Sequence, residues 1–243
     1  MQPDRAFFVA WNFHAKIESK RYKGVGNIVG VIGLGLTGAL SGFIIPYAAQ
    51  KLSLYKASVA KRANAFDNLF TSVYTKVIVC LLSAAVWALA AAGMENLFLA
   101  LLISLLFGLS LLTALVDLKI NVIPNELVIS MLIVGIVFQC SYYGFDSLLT
   151  AILCMAIIAG LFNIIAVALG FSKVGAGDVK LSGVMGLVLG YPNIIAALTI
   201  MSISLLIYSQ IGLLTRKLTL RSMLPFAPFM MFGLIMTLIC IVL

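Results

Sequence analysis

Charge is scarce in this chain. Asp, Glu, Lys and Arg make up only 10% of its 243 residues, and 63% are hydrophobic, whereas charged residues form roughly 25% of a soluble domain. A soluble core of this length cannot hide that much apolar surface, because small domains leave much of their surface in water. Long polar stretches are missing as well. The longest, residues 1–25 and 50–76, are too short to hold a large soluble domain. Histidine is almost absent, and His14 alone cannot build a metal site or a Ser/His or Cys/His pair. No CxxC pair occurs: Cys80, Cys140, Cys154 and Cys240 all sit inside apolar runs. They read as small buried hydrophobes, and no metal site or cofactor is expected from them. Residues 1–25 lack both a long apolar run and a small-residue cleavage site, so no secretory signal peptide is read there.

Apolar runs near the length of a bilayer crossing, about 20 residues for a helix, are plentiful. Eight are read, at 26–49, 74–93, 96–116, 125–143, 147–170, 179–191, 193–214 and 224–243. The predicted fold class is therefore all-α, a polytopic membrane helical bundle of about eight transmembrane helices. The sixth run is short, which predicts a tilted helix or a first turn at the interface. The first run carries Gly26, Gly30, Gly33, Gly35, Gly38 and Gly42. Small residues let helices approach closely in lipid, so these read as packing positions.

Three segments follow. Residues 1–25 are basic, and Phe7, Phe8, Trp11 and Ile17 among the charges predict a segment lying on the membrane surface. Residues 26–93 hold the first two spans and the loop at 50–76. Residues 94–243 form the remaining membrane-embedded core.

The net charge is +8. In a membrane protein this reflects topology rather than nucleic-acid binding, because Lys and Arg gather in cytoplasmic loops. Outside the tail, eleven Lys and Arg lie on the side of the 50–76 loop, and none lies in the opposite turns near Glu95, Asp146 and Tyr191. The 50–76 side is thus read as cytoplasmic. The tail disagrees: an even number of crossings puts Arg5, Lys16, Lys20, Arg21 and Lys23 outside. Either the tail crosses despite its charge, or the first span is re-entrant.

Acidic residues number eight and can be taken in turn. Asp4 and Glu18 lie in the tail, Asp67 in the long loop, and Glu95 and Asp146 in outer turns. That leaves Asp117, Glu126 and Asp178 near the cytoplasmic ends of spans. Asp117 closes the third span in LTALVDLKINVIPNELV, and Asp178 opens the sixth in SKVGAGDVKLSG. Each has an ordinary explanation: an interfacial charge ending a span for Asp117, a helix N-cap for Asp178. Together they allow more. Two carboxylates brought close cannot both ionise easily, so one proton is shared between them. The ionised partner can draw a proton from water while the protonated one donates to a carbonyl oxygen. Gly175 and Gly177 permit an unusual backbone and close approach by an extended peptide, or simply connect two spans. V-G-A-G-D fits neither a dinucleotide nor a Walker A phosphate loop. Pro124 reads as the start of the fourth span, in the first helical turn.

At these residues the sequence resembles the type IV prepilin peptidases, bacterial GxGD-type intramembrane aspartyl proteases with archaeal preflagellin peptidases as relatives. The family pattern is an Asp followed seven residues later by Pro in an I-P-N/D segment, then G-x-G-D-x-K-L. Here Asp117 leads to Ile123, Pro124 and Asn125, and Gly175, Gly177, Asp178, Lys180 and Leu181 match the second motif. LPFAPFMMFG, from Leu224 to Gly233, is similar to the family's P-F-x-P-F/Y signature, and GALSGFIIPYAAQKL in the first span matches more loosely. The resemblance covers about residues 28–243. Presenilin-type relatives share the Asp motif but not the Lys and Leu after it.

The resemblance implies that Asp117 and Asp178 are the catalytic pair, with Gly175, Gly177 and Pro124 beside the substrate. It implies prepilin-like or pseudopilin precursors as partners, cut after a short basic leader at the cytoplasmic face of the cell membrane. Membrane lipid is the other expected partner, and Lys180 is read as an interfacial or phospholipid contact rather than a catalytic group. Many members also methylate the new terminus and carry two CxxC pairs that bind zinc in the loop after the first span. Residues 50–76 contain no cysteine, so a four-thiolate zinc site is impossible there. The chain resembles a peptidase-only or reduced form of the family. A preflagellin peptidase or another GxGD protease is the nearest alternative. A proton- or cation-coupled transporter is a different class, and it predicts acids at mid-span in broken helices. Both Asp residues lie at span ends instead.

Overall fold

The computed structural model describes residues 28–60, 72–94, 96–169, 175–216 and 225–243. Among these the regular structure is helical: α1 (Ile28–Ala60), α2 (Val73–Gly93), α3 (Leu97–Ile120), α4 (Asn125–Tyr142), α5 (Leu148–Leu169), α6 (Ala176–Leu189), α7 (Asn193–Leu214) and α8 (Ala227–Val242). A 3-10 turn at Phe145–Ser147 precedes α5. Lipid offers the backbone no hydrogen bonds, so helices that satisfy their own N–H and C=O groups are the natural crossing element. Breaks fall where the sequence supplies them. Asn121 in the left-handed conformation and Pro124 separate α3 from α4. Gly190, at φ 61°, and Pro192 separate α6 from α7.

Six of the helices, α1 to α5 and α7, are long and apolar enough to cross a membrane. The chain is a multi-pass helical membrane protein. The expected bundle of about eight helices is present, and two members are shorter than the rest: α6 has 14 residues and α8 has 16. At 1.5 Å per residue, α6 is about 21 Å long, against a hydrocarbon core of about 30 Å. It is also enclosed by protein, with every residue from Leu181 to Leu189 buried. A helix that is apolar on every side belongs inside a bundle.

Three boundaries differ from the sequence reading. α1 runs to Ala60, so residues 50–60 are helical rather than loop. Its 33 residues amount to about 50 Å of helix, so the end bearing Lys51 and Lys56 extends past the apolar core. α3 continues beyond Asp117 to Ile120, because Asp117, Lys119 and Ile120 are buried against protein. α6 opens at Ala176, three residues earlier than the apolar run. The tail, its side of the membrane, and residues 61–71 of the expected 50–76 loop, Asp67 among them, lie outside the described residues.

Glycines set the close packing. A Cβ on Gly38 would lie 2.7 Å from the Trp87 Cβ, and one on Gly42 would lie 2.7 Å from the Cys80 Cα. α1 and α2 therefore meet through these two positions, as the first span's glycines predict. The opposite face of α1, with Ile32, Leu36, Leu40 and Phe43, is exposed and faces lipid. The cysteines depart from expectation. Cys154 is buried, Cys80 and Cys140 are partly buried, and Cys240 is exposed. An apolar side chain gains nothing by hiding from lipid, so a small hydrophobe can face outward.

α4 and α6 run parallel. Lys180 near the start of α6 meets Asn125 at the start of α4. Gln139 near the end of α4 reaches the Leu187 and Val188 carbonyls near the end of α6, at 2.9 and 3.0 Å.

Candidate active site

Asp117 lies one turn before the end of α3 and is only 4% exposed. A buried carboxylate needs hydrogen bonds. Its Oδ2 accepts one from the backbone N–H of Ala227 at 3.1 Å. Ala227 is the first residue of α8, and the first N–H groups of a helix have no partner within it. Pro228 has no N–H to offer, and the Phe229 and Met230 N–H groups turn back to the Phe226 carbonyl. The carboxylate of α3 thus serves α8 as a cap from across the bundle.

Asp178 is built differently. Gly175 is the N-cap of α6, in an extended conformation at φ −69° and ψ 146°. Glycine has no side chain with which to cap. Asp178, the third helical residue, reaches back instead, and its Oδ2 accepts from the Gly175 N–H at 3.2 Å. That is the reciprocal half of a capping box. The sequence reading placed Asp178 at the cap itself; it stands three residues further on and caps by returning.

The two carboxyls are within range of each other's charge. Each rests against a helix N-terminus, where the aligned peptide dipoles favour negative charge. Each carboxyl thus accepts from the amide at the start of a helix. This arrangement gathers at the α3–α4 and α5–α6 end of the bundle, with α8 completing it.

The remaining predicted residues converge on the same end, with altered roles. Neither Gly175 nor Gly177 has a positive φ, so no unusual backbone is needed at either. Gly177 is pressed against the α3–α4 connection: a Cβ there would come within 3.0 Å of the Ile123 Cβ. Its smallness serves that contact. Gly175 is open, and an added Cβ would meet only Asp178 Oδ2 at 3.5 Å and the Gly177 N at 3.9 Å. Pro124 is the N-cap of α4, one position before the first helical turn, and is buried beside Ile123.

Lys180, expected as an interfacial or lipid contact, is exposed. Its Nζ donates to Asn125 Oδ1 at 3.0 Å, joining the two motifs. Glu126, next along α4, pairs with Lys56 of α1 at 2.7 Å. Ala227, Asn125 and Gln139 went unassigned in the sequence. A backbone amide leaves no mark there, but Gln139 does: a lone amide inside an apolar span signals a polar partner. Among the described residues, no three His, Cys, Asp or Glu side chains cluster as metal ligands.

Fold and site thus define a helical multi-pass membrane protein with a carboxylate pair at one end of its bundle. Residues 104–210, which include both Asp residues, match the type IV leader peptidase family. The prepilin peptidase EppA of Methanocaldococcus jannaschii is 33% identical over 91 residues, covering 36% of this chain and 23% of that protein. The chain therefore spans about a quarter of that relative's length. No solved structure matches the chain.

Proposed function

We propose that the protein is a membrane-embedded aspartyl endopeptidase that removes the short basic leader of prepilin-like precursors. The observation that carries this reading is the convergence of Asp117 and Asp178 on one end of the bundle, where Gly177 beside Asp178 abuts Ile123 of the α3–α4 connection. The two Asp residues lie 61 positions apart in sequence, yet come within range of each other's charge, each against a different helix start. The leader peptidase family match supports the substrate class.

With one proton shared between the carboxyls, the ionised group takes a proton from a water molecule. The hydroxide so formed attacks the scissile carbonyl, and the protonated carboxyl donates to its oxygen. The tetrahedral intermediate collapses as the C–N bond breaks: the leaving nitrogen takes a proton from the first Asp, and a hydroxyl of the intermediate returns one to the second, restoring the shared proton. No covalent bond to the enzyme forms. The open space over Gly175 is where an extended peptide lies nearest Asp178, while Gly177 and Pro124 support the site from behind. Lys51, Lys56, Lys76 and Arg216 share the bundle end of the Asp pair, which the positive-inside rule places towards the cytoplasm.

The test is cleavage of a pilin-like precursor by the purified chain in detergent, wild type against Asp117→Asn and Asp178→Asn. Cleavage by wild type alone supports the Asp pair. Equal cleavage by either variant removes that residue from the mechanism.

A further inference from the structure

We propose that Asn125 and Lys180 are a positioning pair that holds Asp178 in register with Asp117, a proposal resting on the Asp pair as the reacting groups. The need for such a pair comes from the length of α6. A helix that spans the bilayer is fixed in depth by the membrane itself. With 14 residues, α6 is shorter than the hydrocarbon core, so its depth and rotation must be set by protein contacts. A slip of one residue along a helix means about 1.5 Å and 100°, enough to carry Asp178 away from its partner.

α6 packs against α5 through Gly183 and Gly186, but the side-chain hydrogen bonds that hold it come from one neighbouring unit. At its start, Lys180 Nζ donates to Asn125 Oδ1 at 3.0 Å, and Gly177 abuts Ile123. At its far end, Gln139 donates to the Leu187 and Val188 carbonyls. Ile123, Asn125 and Gln139 all belong to α4 or the four residues before it, which lead directly from α3. Asp117 sits on that same hairpin. The α3–α4 hairpin therefore carries one carboxylate in its own chain and grips the helix that bears the other. Lys180 is two residues from Asp178, so the lysine–asparagine bond is the grip nearest the reacting groups.

The distinguishing measurement is steady-state cleavage of the precursor by Lys180→Met, Asn125→Ala and the double variant, with Lys180→Arg and Asn125→Asp as conservative partners. Each disruptive single variant is expected to lower kcat about 10- to 100-fold, the range a misplacement near 1 Å produces, with KM within about threefold. The double variant should be no worse than the weaker single, because both remove one bond. Asn125→Asp keeps the acceptor and should recover most of the rate. Losses that multiply in the double variant, or that appear in KM alone, overturn the proposal. A second readout needs no cleavage. In a background with the four native cysteines changed to alanine, Cys at 117 and 178 is joined by a short bifunctional maleimide. Addition of Lys180→Met should cut the cross-linking yield several-fold. An unchanged yield overturns the pairing even if the chain cleaves none of the precursors, an outcome that would separately refute the peptidase reading.

Discussion

The backbone N–H of Ala227 donates to Asp117 Oδ2 across 110 positions of sequence, at 3.1 Å. Three motifs are thereby joined rather than two: the α3 carboxylate, the α6 carboxylate and the start of α8. The bond also explains why α3 does not end at its charged residue. Asp117 has a protein partner at that depth, so the helix can carry it inside the bundle and run on to Ile120.

Substitution at Asp117 should separate chemistry from structure. Asparagine keeps an oxygen that accepts from Ala227, so Asp117→Asn should fold and melt near wild type. Its cleavage should fall by about 100- to 10,000-fold, the usual worth of a general acid or base. Asp117→Ala leaves the Ala227 N–H buried without a partner, at a cost of about 1–3 kcal/mol. Thermal unfolding in detergent should show a lower Tm for Ala than for Asn, with equal loss of activity. An equal Tm for both would mean that the α8 amide finds another acceptor.

Much of this architecture is legible from the chain alone, for a physical reason. Apolar runs bounded by Asn, Gly and Pro mark helices in lipid, and seven of the eight predicted runs end within about four residues of a helix terminus. The exception is instructive. α1 outlasts its apolar run by eleven residues, since QKLSLYKASVA has good helix formers and no breaker before Ala60. What the sequence could not reveal is how the motifs touch. Asp117 and Asp178 announce themselves as rare acids, but the Ala227 amide has no side-chain signature. Lys180 reads as an interfacial residue, as a lysine near a span end usually does, and it is exposed; the sequence does not show that its hydrogen-bond partner is Asn125, 55 positions away.

The two site glycines should respond differently to alanine. At Gly175 the added methyl meets only ordinary contacts, at 3.5 Å and beyond, so Gly175→Ala should leave Tm within about 2 °C, as expected for a change below 0.5 kcal/mol. At Gly177 the new Cβ would stand 3.0 Å from the Ile123 Cβ. Trimming Ile123 to Ala would not relieve this, because the contact is with the Cβ itself. Gly177→Ala must shift the first turn of α6, and Asp178 with it. Cleavage should fall about 10- to 100-fold, and Ile123→Ala should fail to restore it. Full activity in Gly177→Ala would show that the turn moves freely without displacing the carboxylate.

The first helix supplies a matched pair of substitutions away from the site. Gly33 has nothing within 4 Å of its would-be Cβ, and alanine there should stabilise by up to about 1 kcal/mol through helix propensity. Gly42 faces the Cys80 Cα and the Val79 carbonyl at 2.7 and 2.8 Å, backbone atoms that cannot turn aside. Gly42→Ala should cost about 1–3 kcal/mol as α1 and α2 are forced apart. Thermal unfolding of the two variants in one detergent decides the matter. Equal Tm values would mean that α1 and α2 do not pack through Gly42.

Gln139 sits 2% exposed in the interior of the bundle, where its Nε2 donates to both Leu187 and Val188 carbonyls. These are among the last carbonyls of α6, which the helix cannot satisfy itself. In Gln139→Leu the side chain keeps its bulk but offers no donor, so two buried carbonyls lose their partner. Interhelical hydrogen bonds in membranes average only about 0.6 kcal/mol each. Unpaired buried acceptors can cost about 1–3 kcal/mol. The expected loss therefore lies between about 1 and 3 kcal/mol, visible as a lower Tm. Gln139→Glu distinguishes the donor from the shape. A carboxylate facing two carbonyls is repelled unless it binds a proton, so this variant should be more stable at pH 5 than at pH 8. If Gln139→Leu melts with wild type, the far end of α6 is held by packing at Gly135 and Val188, and the amide is incidental.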